Sequence, residues 1–232
     1  MKILSTFAGD FLSLFYPRLC HACQKALVGS EECICSFCHF HLPQTHLHKE
    51  RENSVTRILW GRVDVETATA LFYFQKGGKV QKLIHQFKYK GKRDIGLYLG
   101  KLLGTQLRES PLWEPVDVIV PVPMHRKKQY QRGFNQSEIF AQGIGEALKK
   151  PLLKNKLVKV DKTDTQTRKT RFRRWENVES VFQVNDPEAF RGKNILLVDD
   201  VITTGSTLEA CASKIKEVKG TRLWIATIAF TT

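Results

Sequence analysis

Ile195-Leu196-Leu197-Val198-Asp199-Asp200-Val201-Ile202-Thr203-Thr204-Gly205-Ser206-Thr207 decides how the rest of this chain is read. Its first four residues are apolar and branched, a run of the length of a fully buried strand. Two carboxylates stand at the strand's carboxyl end and a hydroxyl-rich turn with one glycine follows. Leu208, Cys211, Ile215 and Val218 then recur at helical spacing. In an open parallel α/β sheet, ligands bind at the carboxyl ends of strands, and a helix amino terminus there offers free N–H groups and a positive dipole end to an anion. The N–H groups of residues 204–207 and the hydroxyls of Thr203, Thr204, Ser206 and Thr207 therefore suit a phosphate. Asp199 and Asp200 suit a sugar diol or a hydrated Mg²⁺.

Two common phosphate motifs are excluded. No lysine follows the glycine as a Walker loop requires, and the spaced glycines of a dinucleotide fingerprint are absent. The order of hydrophobic strand, two acids, two apolar residues and Thr-Gly-Ser-Thr resembles the 5-phosphoribosyl-1-pyrophosphate (PRPP) signature of type I phosphoribosyltransferases.

The composition, 42% hydrophobic and 26% charged over 232 residues, is that of a globular α/β domain of ordinary size with a small appendage. No apolar run approaches the roughly 18 to 20 residues of a membrane span. Ile3, Leu4, Phe7, Phe11, Leu12, Leu14 and Phe15 are interrupted by Asp10 and lack a signal peptide's cleavage site. Residues 1–19 are therefore expected as an amphipathic segment docked on the protein, and the chain is expected in the cytoplasm. Lys and Arg exceed Asp and Glu by 37 to 23, which favours anionic partners, either nucleic acid or a polyphosphorylated small substrate.

Five of the six cysteines lie within residues 20–38. Cys20-x₂-Cys23 and Cys35-x₂-Cys38, eleven residues apart, have the spacing of a zinc ribbon or knuckle. Zn²⁺ held by these four would replace a core that so short a segment cannot build, and a closed four-cysteine site is structural. Cys33 could replace Cys35, and His21, His39 and His41 are possible substitutes. Cys211 reads as a core residue on the apolar stripe of its helix.

The spacing divides the chain into an amino-terminal segment (1–19), a zinc-finger region (20–42), a polar, solvated linker (43–64) and an α/β domain (65–232). Within that domain strands are expected over 68–74, 116–120, 157–160, 194–198 and 223–230. Helices are expected over 79–89, 94–108 with Asp94 as cap, 137–148, and after residue 205. Residues 125–136 read as a charged loop in which His125, Arg126, Lys127, Lys128 and Arg132 leave the carboxyl end of a strand, an arrangement that suits pyrophosphate. Residues 161–178 are polar and rich in arginine, with Phe172 and Trp175 interleaved. They read as a lid closing over substrate, as a nucleic-acid arm, or as both.

Paired CxxC motifs, Pro121-Val122-Pro123, Arg132-Gly133-Phe134-Asn135-Gln136, Gln166-Thr167-Arg168 and the 199–207 signature, in that order, resemble the bacterial ComF family over nearly the whole chain. The resemblance implies a type I phosphoribosyltransferase-like fold, an open and mostly parallel sheet with helices on both faces, beside a small four-cysteine zinc finger. It implies PRPP as ligand, Zn²⁺ and Mg²⁺ as cofactors, and a link to DNA uptake and natural transformation through single-stranded DNA or competence proteins. It assigns Asp199 and Asp200 to catalysis, through the ribose hydroxyls and Mg²⁺, and Thr203, Thr204, Gly205, Ser206 and Thr207 to the 5-phosphate. Pro123, Arg126, Lys128 and Arg132 go to pyrophosphate, and Arg168 and Arg174 to the lid. Thr203 stands where 6-oxopurine salvage enzymes carry an aspartate that addresses the base, which argues against hypoxanthine or guanine as acceptor. Lys2 stands where a glutaminase domain would need a cysteine, which argues against glutamine-driven amide transfer.

Overall fold

Nine consecutive residues, Asn194–Ile202, form β5, and the pattern along them explains the architecture. Ile195 and Leu197 point to one side of the sheet, Leu196 and Val198 to the other, and all four are fully buried. A strand apolar on both sides needs cover on both faces, and helices supply it. The computed structural model describes residues 17–160 and 181–231.

In chain order the elements are α1 (Ser36–His41), α2 (Ser54–Arg57), β1 (Thr67–Tyr73), α3 (Lys79–Tyr89), α4 (Arg93–Arg108), β2 (Val118–Pro121), α5 (Arg126–Arg132) and α6 (Gln136–Leu148). After them come β3 (Leu157–Lys159), β4 (Phe182–Val184), β5, α7 (Ser206–Lys216) and β6 (Arg222–Phe230). Strands β1, β6, β5 and β2 lie side by side in that order, every neighbouring pair parallel, with Val198 opposite Ala226 and Pro121 opposite Val198. On one face Leu83 and Phe87 of α3, Leu99 and Leu103 of α4 and Phe140 and Ile144 of α6 meet Leu196, Val198 and Trp224. On the other, Leu208, Cys211 and Ile215 of α7 meet Ile195, Leu197 and Ile225. The open parallel sheet with helices on both faces is thus as expected, and Cys211 is core.

Helices α4 and α6 pack in contact through glycine. A Cβ on Gly100 would lie 2.2 Å from the Phe140 carbonyl oxygen, and one on Gly143 2.3 Å from that of Leu97. This close approach seats the amino terminus of α6 against the end of β5.

Four local expectations are corrected. Residues 126–132 are helical rather than a loop: the His125 ring accepts from the Lys127 N–H at 3.1 Å, and Gly133 ends the turn in the left-handed region (φ 78°). Lys92, not Asp94, occupies the cap position of α4. Asp94 sits in the first turn, where its charge complements the helix dipole. The polar stretch 43–64 is packed rather than solvated: Leu47, His48, Asn53, Val55, Thr56 and Leu59 are all buried. Asn53 explains how polar residues can be interior there, donating to the Glu50 and Ala68 carbonyls at 2.8 and 2.9 Å while accepting from the Val55 and Thr56 N–H groups. Finally, β5 runs on past Val198, so Asp199 and Asp200 are strand residues, with Asp199 opposite Thr227. Strands β3 and β4 pair antiparallel in a separate two-stranded sheet. The amino-terminal segment up to residue 16 and the lid with Arg168 and Arg174 lie outside the described residues.

Candidate functional site

At the carboxyl edge of the sheet, β5 turns through residues 203–205 into α7. Gly205 is at φ 77°, a conformation that costs any L side chain about 1 kcal/mol or more. A Cβ there would also sit 3.1 Å from Ile58 and 3.2 Å from Leu59. The cap residue Gly205 has no side chain, and apart from the Ser206 N–H, which lies 3.5 Å from Thr204 Oγ1, the first-turn N–H groups of α7 remain for a ligand. Thr204 and Ser206 hydroxyls meet at 2.9 Å and, with Thr203, Gly205, Thr207 and Asp199, line a small hollow over the helix end. The 203–207 residues singled out in the sequence therefore do share one concavity at a helix amino terminus.

The acidic pair is held by three elements. Asp199 Oδ1 accepts from Ser137 Oγ of α6 and from the Asp200 N–H, both at 2.8 Å. Asp200 Oδ2 lies 2.7 Å from Nζ of Lys88, in the last turn of α3. Burial pushes the Asp199 carboxyl up to about 7, and the adjacent Asp200 charge pushes the same way. Asp199 thus sits near the midpoint of its titration at neutral pH, suited to donate or accept a hydrogen bond or to face a cation.

The basic helix α5 faces this edge in two directions. Lys128 and Arg132 join Lys88, Tyr89, Gly91 and Gln131 around a cleft of about 280 Å³. The Arg132 guanidinium lies over the Tyr89 ring (5.1 Å) and donates to Gln136 at 3.0 Å. Pro123 and Arg126 open instead on a second cleft of about 500 Å³ shared with Asn135, Glu138, Lys159 and Gln183. Lys88 joins the acidic pair to the first cleft. The four residues grouped for pyrophosphate in the sequence are therefore divided between two hollows.

The cysteines gather as two turns facing each other. Sulfur atoms of Cys20, Cys23, Cys35 and Cys38 lie within 4.8 Å of one another. Burial opposes ionisation of Cys20, but N–H groups of Cys35, Cys23 and Ala22 overcome it and bring the thiol down to about 7. Burial raises Cys38. Four thiols at this spacing, one poised to ionise, fit Zn²⁺. Cys33 is not among them: its sulfur faces His21 and Asp94. His39 and His41 are engaged elsewhere, His39 Nδ1 with the Tyr98 hydroxyl (2.7 Å) and His41 Nδ1 with the Phe37 carbonyl (2.8 Å).

Comparison with known proteins agrees with this arrangement. Residues 135–231 match the phosphoribosyl transferase domain family. The chain is 31% identical over 140 residues to "Competence protein F" of Haemophilus influenzae, a match covering 59% of this chain and 61% of that protein. It is 29% identical over 206 residues to "DNA utilization protein YhgH" of Escherichia coli, covering 87% and 85%. With "Competence protein ComFC" of Bacillus subtilis the identity is 24% over 208 residues, covering 89% and 81%. The chain is thus similar to these competence and DNA-utilization proteins. The chain spans less than two thirds, 61%, of the Haemophilus relative's length.

In this chain the sequence left three site residues unassigned. Lys88 and Ser137 read only as members of the expected helices 79–89 and 137–148, yet both touch the acidic pair. Arg62, from the stretch expected to be a linker, bonds to the Thr204 carbonyl and to Glu209 and reaches Ser206 Oγ at 3.5 Å. The clustered cations around residue 88 were a usable signal. Nothing local marked Ser137 or Arg62.

Proposed function

We propose that this chain binds PRPP and transfers its phosphoribosyl group, with release of pyrophosphate, to an acceptor not yet identified, in the service of DNA uptake. The carrying observation is the edge itself: a helix amino terminus ringed by hydroxyls, two carboxylates one step earlier, and a cationic cleft joined to them through Lys88. The names of the competence and DNA-utilization relatives support the cellular setting.

In this reading, residues 203–207 take the 5-phosphate through N–H groups and hydroxyls. Asp199 and Asp200 accept hydrogen bonds from the ribose diol. Lys128 and Arg132 meet the pyrophosphate, with Lys88 between the two groups. Mg²⁺, carried with the substrate and facing the acidic pair, would neutralise charge on the departing pyrophosphate. As the anomeric carbon loses its leaving group through an oxocarbenium-like state, the carboxylates stabilise the positive ring and the cations the departing charge. Pro123 and Arg126 line the neighbouring cleft, where an acceptor has room.

Calorimetric titration of PRPP with Mg²⁺ into the zinc-replete protein, with ribose 5-phosphate and AMP as comparators, tests the reading. Mg²⁺-dependent binding preferring PRPP is expected. Absence of binding to all three would sink it. Pyrophosphate release, screened over nucleobases and amines, then separates transfer from binding alone.

A second reading, direct contact with single-stranded DNA, is favoured by aromatic rings beside cations. Tyr130 is 90% exposed on the helix carrying Arg126, Lys127, Lys128 and Arg132, and Phe40 is 77% exposed on α1. Affinity for single-stranded DNA that barely changes with salt would contradict it.

A further inference from the structure

With four thiols the cysteine cluster is complete, which leaves His21, Cys33 and Asp94 to be explained. They come from three places: the first cysteine turn, the strip before the second turn, and the first turn of α4. One donor atom from each lies within 4.8 Å of the other two, and His21 Nε2 stands 2.9 Å from Asp94 Oδ2. In a tetrahedral zinc site with bonds of about 2.0 to 2.3 Å, donors are about 3.3 to 3.8 Å apart. An opening of the His21–Asp94 pair by about 0.5 Å and a closing of the Cys33 separations by no more than about 1.3 Å would meet that geometry. The His21 carbonyl is already fixed by the Gln86 side chain at 2.6 Å, so the imidazole is presented from an anchored backbone.

We propose that His21, Cys33 and Asp94 form a second metal site, separate from the four-cysteine cluster, that takes one Zn²⁺ with its fourth position open to water. The donor set selects the ion: imidazole and thiolate favour zinc, whereas Mg²⁺ and Ca²⁺ take oxygen donors, of which only the carboxylate is one. Binding forms one bond each to Nε2, Sγ and a carboxylate oxygen. The Cys33 thiol proton goes to water and the imidazole stays neutral with its proton on Nδ1. Thiolate, carboxylate and dication then sum to zero charge, so the buried Cys33 (2% exposed) carries no uncompensated ion. Because Asp94 belongs to α4, the ion also clamps the cysteine region to the α/β domain. The site does not depend on PRPP binding.

Metal content of the full-length protein, measured by mass spectrometry after equilibration with micromolar zinc and desalting, is the test. Two zinc ions per chain are expected, falling to one in Asp94→Asn and in Cys33→Ser. Cobalt substitution locates the loss: the intense thiolate bands of the four-cysteine site should persist in both variants, and they report whether that region has kept its fold. One zinc per chain in the parent protein would overturn the proposal, as would two ions retained by both variants.

Discussion

The β5–α7 corner and the cysteine region are both tight turns that present polar atoms to a ligand, but they are held by different means. The corner hangs from a parallel ladder in which Val198, Asp199 and Val201 lie opposite Ala226, Thr227 and Ala229, and its apolar residues are buried on both faces. Within residues 20–38 the buried side chains are Ala22, Ile34 and cysteines. The cysteine region joins the domain through these residues, which share an apolar cluster with Val80, Leu83 and Leu99, and through polar contacts such as His21–Asp94 and His39–Tyr98. One region has its geometry before any ligand arrives. The other has little apolar core of its own, so a metal on its four thiols is expected to supply much of its order.

The largest effect that would sharpen this contrast is zinc removal. Structural zinc contributes on the order of 10 kcal/mol to folding of small metal domains. Chelation, or Cys38→Ser, should therefore release amide protection across residues 20–41 while strands β5 and β6 stay protected from hydrogen exchange. If the cysteine region kept its protection without metal, the contrast would be broken.

Replacing both Asp199 and Asp200 by Asn probes the other side. PRPP affinity should fall by about 100-fold or more, roughly 3 kcal/mol, with the fold intact. Calorimetry beside a melting curve would read both quantities, and an unchanged affinity in the folded variant would remove the acidic pair from the site.

A preformed site also implies a carboxylate buried at some expense, and pH exposes it. The Asp199 carboxyl is raised from the ordinary range to about 7 by burial, with the Asp200 charge adding to it. The folded chain then holds a proton that the unfolded chain has released. The group's contribution is fully present below about pH 4 and is lost as pH rises toward 7. Asp199→Asn removes the burden and should stabilise the protein at pH 8 by about 2 kcal/mol, half the full linkage of such a displacement. The difference from the parent should vanish near pH 4. A variant that is less stable than the parent at pH 8 would show that the carboxylate is held by more than the Ser137 and Asp200 hydrogen bonds.

What could be read from the sequence follows the same division. The corner is contiguous: four apolar residues, two acids, one glycine among hydroxyls and a helical stripe lie in a single run, so local periodicity suffices. The cysteines announce themselves by spacing, although only coordinates separate Cys33 from the four. Residues 43–64 were illegible because hydropathy counts Asn53 and Thr56 as polar, whereas inside the protein the polar atoms of these two side chains find backbone partners. Lys88 and Ser137 reach the acidic pair only because α3 ends and α6 begins there. The charged run 126–132 hid a helix, since its apolar stripe is missing and its cap is a histidine.

Arg62 gives the smallest effect and the closest test of how self-sufficient the corner is. It comes from the illegible stretch, touches Thr204 and Ser206 of the β5–α7 turn, and is neutralised by Glu209. A half-exposed ion pair of this kind contributes at most about 1 kcal/mol, so Arg62→Met should leave the melting temperature nearly unchanged. If Arg62 holds the Thr204 carbonyl and thereby orients the N–H groups behind it, PRPP affinity should still fall about threefold, with no loss for single-stranded DNA. An affinity equal to the parent's would mean that the ladder and Gly205 set the loop alone. A loss above tenfold would mean that the arginine meets the phosphate itself, and that the corner is completed by a residue more than a hundred positions away in the chain.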